Sequence, residues 1–384
     1  MHSQSSNRPI IVMGGNGRVG REVVSYLLRH TAHRIIVASR SARLSPQSPH
    51  TGSEPRLSSL ALDASDHQAL KQAFEGAALV IACIGPSGVV GEQVARACID
   101  ANTPLVDAGG YDPLLNALEQ RQRHEQLNVP LIISVGLMPG LTGLFPKYVI
   151  DCTAAGRTPL RLDTCCVGRD AWTYNSAWDI VHSLGDFGQN RGFPVIRHGE
   201  HQPVGFFKAM RKVNFPAQVG RVNTLLMPSE ELARLARQLH IPEARAYGSN
   251  VGPRAAMACL RAKLFGEYRT PEKIHRAAQR LAKASASDLR NLQPVYGLRV
   301  DVRYADDQLE TATLMIADTY QATGVAIAIA ARCLLEGHPV ANGVQMLHEA
   351  IDSRRFIHLF RAEGLLDIEG LAAQPRPELQ GDVS

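Results

Sequence analysis

Residues 12–24 read VMGGNGRVGREVV, with glycines at 14, 15, 17 and 20. Gly15, Gly17 and Gly20 fit G-x-G-x-x-G, and Gly14 adds the overlapping spacing G-x-x-G-x-x-G. A turn of this kind between a strand and a helix serves three needs. It allows positive φ, it lets the backbone approach a pyrophosphate, and it lets the helix pack closely on the strand. The phosphates then rest on free N–H groups at the helix start. Gly14, Gly15, Asn16, Gly17, Arg18, Val19 and Gly20 are therefore the candidate dinucleotide-binding residues. The end of the second strand selects among dinucleotides. An NAD site carries Asp or Glu there for the ribose 2′-hydroxyl. This chain instead has VASRSAR, with Ser39, Arg40, Ser41 and Arg43. Hydroxyls and guanidinium groups suit a 2′-phosphate, which Arg grips with paired hydrogen bonds. The expected cofactor is NADP(H).

These residues need a sheet to hold them. Apolar runs at 8–13, 33–40, 57–65, 78–85, 104–110 and 129–136 read as six strands, with helical spacing between them. This βα alternation predicts an α/β fold, a Rossmann-type doubly wound parallel sheet over residues 1–136. Ligands bind beyond the carboxyl ends of such strands. Asp63, Gly85, Pro86 and Ser87 join the cofactor-site candidates by that position. The pattern changes after residue 136. A Gly/Pro turn, a strand at LRLDTCCVG, helices near 229–240, 252–266 and 271–284, and a hairpin (VYGLRVDVRYAD, LETATLMIAD) predict an inserted α/β substrate and dimerisation domain over 137–320. Residues 321–384 read as C-terminal helices returning to the Rossmann domain, with a frayed end from 372.

Composition narrows the function classes. With 45% apolar and 20% charged residues over 384, the chain can bury a large core. No run approaches the roughly 18–20 apolar residues of a membrane span. The start, MHSQSSNRPI, lacks the apolar segment of a signal peptide. The expected setting is cytoplasmic, with no membrane partner. Seven cysteines, an odd number without a C-x-x-C pair, argue against a disulfide framework or a metal site. Cys165 and Cys166 are adjacent on a strand and should face opposite ways. The net charge of +5 comes without a dense Lys/Arg tract, so no nucleic-acid partner is expected.

The stretch LVIACIGPSGVVGEQVARACIDANTPLVDAGGY resembles the saccharopine-dehydrogenase-like reductases in its Gly85-Pro86, its helix ending ACIDA and its Val106-Asp107. GLMPGLTGL (136–144) resembles that family's interdomain turn, and residues 323–344 its C-terminal return. The resemblance implies an NAD(P)-dependent enzyme that reduces C=N bonds or oxidises amines in a cleft between two domains. Amino-acid-handling relatives commonly carry Asp before the Pro-Gly of that turn. Here the residue is Met138. A thioether cannot hold an ammonium, which favours a less charged imine. Trp172 and Trp178, the chain's two tryptophans, flank Tyr174 and offer flat walls for a heterocycle; packing in the domain core is the plainer role. Together these features resemble thiazolinyl imine reductases of siderophore assembly, of the pyochelin or enantio-pyochelin type. That resemblance implies a thiazoline thioester held on a nonribosomal peptide synthetase carrier domain and reduced to a thiazolidine. Lys208, Arg211 and Lys212 in FFKAMRKVNF are a candidate basic rim for an acidic carrier.

Imine reduction leaves a nitrogen that must gain a proton, so a general acid is sought. His182 is a candidate because histidine as a residue type can exchange a proton near neutral pH, and Asp179 lies three residues earlier on one helix face. Tyr174 and Tyr111 are further donors. Two alternatives stay open: a saccharopine- or carboxynorspermidine-type enzyme acting on a free amino-acid imine, and a non-catalytic NADP-binding regulator. The expected assembly is a homodimer.

Overall fold

The computed structural model describes residues 8–41, 54–109, 112–185 and 192–371. Arg43 and Tyr111 lie outside the described residues. The first region runs β1 (Ile10–Met13), α1 (Arg18–His30), β2 (Ile35–Ser39), β3 (Leu57–Ala61), α2 (His67–Phe74), β4 (Leu79–Ala82), α3 (Ser87–Val90), α4 (Gln93–Asp100), β5 (Leu105–Asp107), α5 (Asp112–His124) and β6 (Pro130–Ile133). These are the six strands expected from the apolar runs. β1 and β4 are buried along their whole length, as parallel strands covered on both faces must be.

A turn at Leu137–Leu141 leads into α6 (Thr142–Thr153) and β7 (Pro159–Arg169). Then come α7 (Tyr174–Ser183), β8 (Phe193–Arg197), β9 (Glu200–Val204), α8 (Phe206–Ala209), β10 (Met210–Asn214), β11 (Arg221–Leu226), α9 (Glu230–Gln238) and β12 (Glu243–Asn250). The chain continues through α10 (Pro253–Leu264), α11 (Pro271–Asp288), β13 (Val295–Tyr304), β14 (Leu309–Ile316) and α12 (Thr319–Leu335). It closes with β15 (Gly343–Met346), α13 (Leu347–Ala350), α14 (Ser353–Ala362) and β16 (Leu366–Glu369).

The first sheet is parallel and seven-stranded, in the order β15-β6-β5-β4-β1-β2-β3. The second is mixed and nine-stranded. Its main path is β10-β11-β12-β7-β13-β14-β16, with β8 paired to β12 and β9 to β8. The C-terminal segment departs from the all-helical expectation. Residues 343–346 pair with 130–133 as the edge strand of the first sheet, and 366–369 pair with β14 in the second. In each short run, pairing to an open sheet edge decides the conformation, which local apolar content does not reveal.

One core cluster runs from β1 and α1 through α6, α9 and α12 to the inner face of the second sheet. α12 lies on α1 at the range only glycine permits. A Cβ at Gly324 would stand 2.8 Å from the Val19 carbonyl oxygen. Cys166 faces this core and Cys165 the opposite cluster, as their adjacency on a strand predicted.

Candidate active site

The glycine turn is locked by contacts a side chain would break. Gly14 has φ +74°, and a Cβ there would stand 2.6 Å from the Cys83 carbonyl oxygen. A Cβ on Gly20 would meet the Gly14 carbonyl and stand 2.6 Å from Gly15 Cα. Gly17 caps α1 without a side-chain bond, and the first turn of this 13-residue helix carries no acid. The backbone donors at its start suit phosphate oxygens. Asn16 Nδ2 donates to Ser39 Oγ at 3.1 Å, and Ser39 Oγ donates to the Ser41 carbonyl at 2.7 Å. This ties the glycine turn to the end of β2. Arg40 is exposed beside it. Asp63 accepts from the Ser65 amide and hydroxyl at 2.9 and 2.8 Å, and these bonds hold its carboxyl below its ordinary value. Serine, arginine and an open helix start fit an NADP group, and no carboxylate of β2 opposes its 2′-phosphate.

Arg18 leaves the turn in another direction. Its guanidinium lies 3.6 Å over the Tyr320 ring and donates to the Ala171 carbonyl at 3.2 Å. The Thr173 amide in turn donates to the Tyr320 hydroxyl at 2.8 Å. Arg18 therefore joins the glycine turn to the second region instead of lying free for a phosphate.

The loop after β4 is gripped by α7. Asn175 Nδ2 donates to the Gly85 carbonyl at 2.9 Å. Asp179 accepts from the Ser87 amide at 3.0 Å and the Gly88 amide at 3.4 Å. Burial pushes the Asp179 carboxyl up, and these amides draw it back. Asp179 was a candidate catalytic partner of His182. His182 does act electrostatically on this carboxylate, but the carboxylate is also held by the Ser87 and Gly88 amides of the first region, where it positions the Gly85-Pro86-Ser87 loop. Below that loop, Asp107 ends β5, buried, and accepts from the Gly109 amide at 2.8 Å. Desolvation raises its pKa to about 6. Ser87, Asp107, Gly109 and Leu114 line a small recess here. A larger hollow of about 530 Å³, lined by Arg123, His124 and Asn342, lies by the start of β15 and holds no candidate residue.

The other candidates divide. Trp178 is buried at 8% exposure among α7, α10 and α11 and stacks on His182, with ring centroids 4.9 Å apart. It is a core side chain and not a cleft wall, because the inner face of α7 must cover the helical layer. Trp172 packs at the edge of that layer, and its indole N–H has no acceptor among the described residues. Tyr174, at the start of α7, shares a 2.7 Å hydrogen bond with His275 Nδ1. Met138 is 53% exposed in the junction turn, with the Cys166 thiol 3.2 Å from its sulfur. Arg211 is not a free rim cation: its guanidinium donates to Asp163 at 2.9 Å and Asp301 at 2.6 Å.

Sequence reasoning missed two groups. Glu231, buried, reaches from α9 to accept from the Gly140 amide at 2.9 Å and the Thr142 hydroxyl at 2.5 Å. Desolvation lifts its pKa to about 8. The Tyr296 hydroxyl donates to the Leu137 carbonyl at 3.0 Å. Together they fix the junction turn that carries Met138. Nothing local marks either residue, since Glu231 acts 91 positions away at Gly140 and Tyr296 acts 159 positions away at Leu137. Gly143 is the one available hint, because a Cβ there would stand 2.6 Å from the Glu231 carboxyl carbon.

Residues 10–129 match the family described as saccharopine dehydrogenase NADP binding domain. No curated protein matches the sequence. Among solved structures, apo saccharopine dehydrogenase (L-Glu forming) from Saccharomyces cerevisiae is 15% identical with a TM-score of 0.65, over 96% of this chain and 100% of that one. A meso-dapdh mutant from Clostridium tetani is 12% identical over 99% of this chain and 100% of that one, at a TM-score of 0.46. A wide-type short-chain dehydrogenase/reductase from Veillonella parvula is 16% identical over 33% of this chain and 67% of that one, at 0.25. The last two scores are too low to carry weight. Residues 10–129 are thus an NADP-binding domain of the saccharopine dehydrogenase type, carried on an α/β fold similar to that of the yeast protein.

Proposed function

We propose that the protein is an oxidoreductase that uses NADPH to reduce a C=N bond, and that its imine is a thiazoline presented as a thioester on a carrier domain. The observation that carries the reading is the grip of α7 on the loop after β4. Asn175 and Asp179 bring the second region over the carboxyl edge of the NADP-binding sheet. That is where substrate and cofactor must meet away from water. Bound NADPH supplies the hydride that the imine carbon receives. The side chains orient the partners and hold the proton the nitrogen then takes. Tyr174, bonded to His275 and next to Asn175 in sequence, is the proton-holding pair beside the gripped loop. Met138 gives the junction turn an exposed apolar surface where a carboxylate would hold an ammonium. The fold likeness to saccharopine dehydrogenase favours, as a second reading, a free amino-acid imine.

The test follows NADPH absorbance with a hydroxyphenyl-thiazoline thioester mimic and, separately, a saccharopine-type imine mixture. Oxidation with the thiazoline supports the first reading. Oxidation with only the amino-acid imine replaces it with the second. Binding of NADPH without oxidation in either would contradict both.

A further inference from the structure

The positive charge of this chain is concentrated in one hairpin. Residues 253–290, which form α10 and α11, hold nine Lys or Arg against three Asp or Glu, a net +6 beside +5 for the whole chain. The remainder is therefore close to neutral. The outer face of α10 also carries an apolar stripe: Met257, Leu260, Leu264 and Phe265 are 64%, 50%, 72% and 69% exposed. Their spacing places them on one side of the helix, while Ala255 and Ala262 face inward. An exposed apolar patch rimmed by one sign of charge marks an interaction site.

We propose that the α10–α11 face docks an acidic protein that brings the imine to the cleft; this use of the face rests on the reduction reading above. Charge selects the occupant. A second copy meeting face to face would set like charge against like charge. Several cations are pinned: Arg261 and Arg280 pair with Glu267, and Arg254 with Asp288. A fixed array suits the fixed carboxylates of a folded partner better than fluid headgroups. The face also adjoins the site. α11 packs on α7, and His275 of α11 bonds Tyr174 of α7, one residue before the Asn175 that grips Gly85. A partner seated on the hairpin is one helix away from the cleft, within reach of a tethered substrate.

The test uses the full chain, wild type and Leu264→Asp/Arg276→Glu, against a purified acidic carrier domain bearing the thiazoline thioester. The readouts are calorimetric binding and NADPH oxidation, with the free thioester mimic alongside. The double variant should weaken carrier binding and raise the KM for the carrier-bound substrate by at least about 10-fold. NADPH affinity and the rate on the free mimic should be unchanged, and added salt should weaken the wild-type complex. Equal carrier affinity in wild type and variant, or no carrier binding at all, overturns the proposal. So does variant-sensitive binding to phosphatidylglycerol/phosphatidylcholine vesicles without carrier binding. Variant-sensitive carrier binding without turnover of either substrate supports the docking face and contradicts the reduction reading.

Discussion

Arg40 and Glu231 carry the account at the level of single side chains. Arg40 stands exposed at the end of β2, next to the Asn16–Ser39 bond that ties in the glycine turn. Charge-assisted hydrogen bonds contribute about 1.5–3 kcal/mol. Arg40→Ala should therefore weaken NADPH binding roughly 10–100-fold and leave NADH unchanged, as measured by fluorescence titration. Equal losses for both would place the 2′-phosphate elsewhere. Glu231 makes a pH prediction. Its native carboxyl titrates near 8 against an ordinary 4.5, so between those values the native state holds a proton that the unfolded chain has released. Stability must then fall as pH rises through that window. Melting temperatures of Glu231→Gln should lack this contribution, with a flatter profile between pH 4.5 and 8. An unchanged slope would mean that Glu231 is already ionised in the fold. The glycine turn and Ser39-Arg40 were legible in the sequence because their chemistry is local. Glu231 was not, because desolvation and long-range backbone donors give it its properties.

At the scale of elements, α7 joins the two regions. Its Asn175 and Asp179 hold the Gly85–Gly88 loop while Trp178 and Val181 face the helical layer. Hydrogen bonds to a charged acceptor contribute about 1.5–3 kcal/mol, less at the exposed Gly88 amide. Asp179→Ala should loosen the loop and weaken NADPH binding roughly 5–100-fold, while Asp179→Asn, which keeps an acceptor, should recover most of it. If both variants bind NADPH like the wild type, the grip does not position the cofactor loop. Asp179 and His182 were read as sharing one helix face, and both lie on α7. The use of its faces stayed open: the tryptophans read either as cleft walls or, more plainly, as core, and the partners α10 and α11 place Trp178 in a core. β15 shows the same limit, since a sheet edge from residues 130–133 makes 343–346 a strand.

Across the whole molecule, the parallel sheet is completed by a strand from the C-terminal segment, and α12 covers α1 through Gly324. The NADP-binding region should therefore not fold alone. A fragment ending at residue 136 is expected to show no cooperative melting by circular dichroism and no NADPH binding. A cooperatively folded, NADPH-binding fragment would mean that β15 and α12 are dispensable. The alternating pattern of the first 136 residues showed the sheet, but its order and its last strand depend on chain far downstream. Hydride delivery from NADPH to an imine carbon is the step proposed for this protein. The direct measurement offers NADPH deuterated at the transferable nicotinamide position with the thiazoline thioester and reads the product by mass spectrometry. The account predicts one deuterium at the former imine carbon. A product without deuterium, or unchanged thiazoline beside bound NADPH, would contradict it.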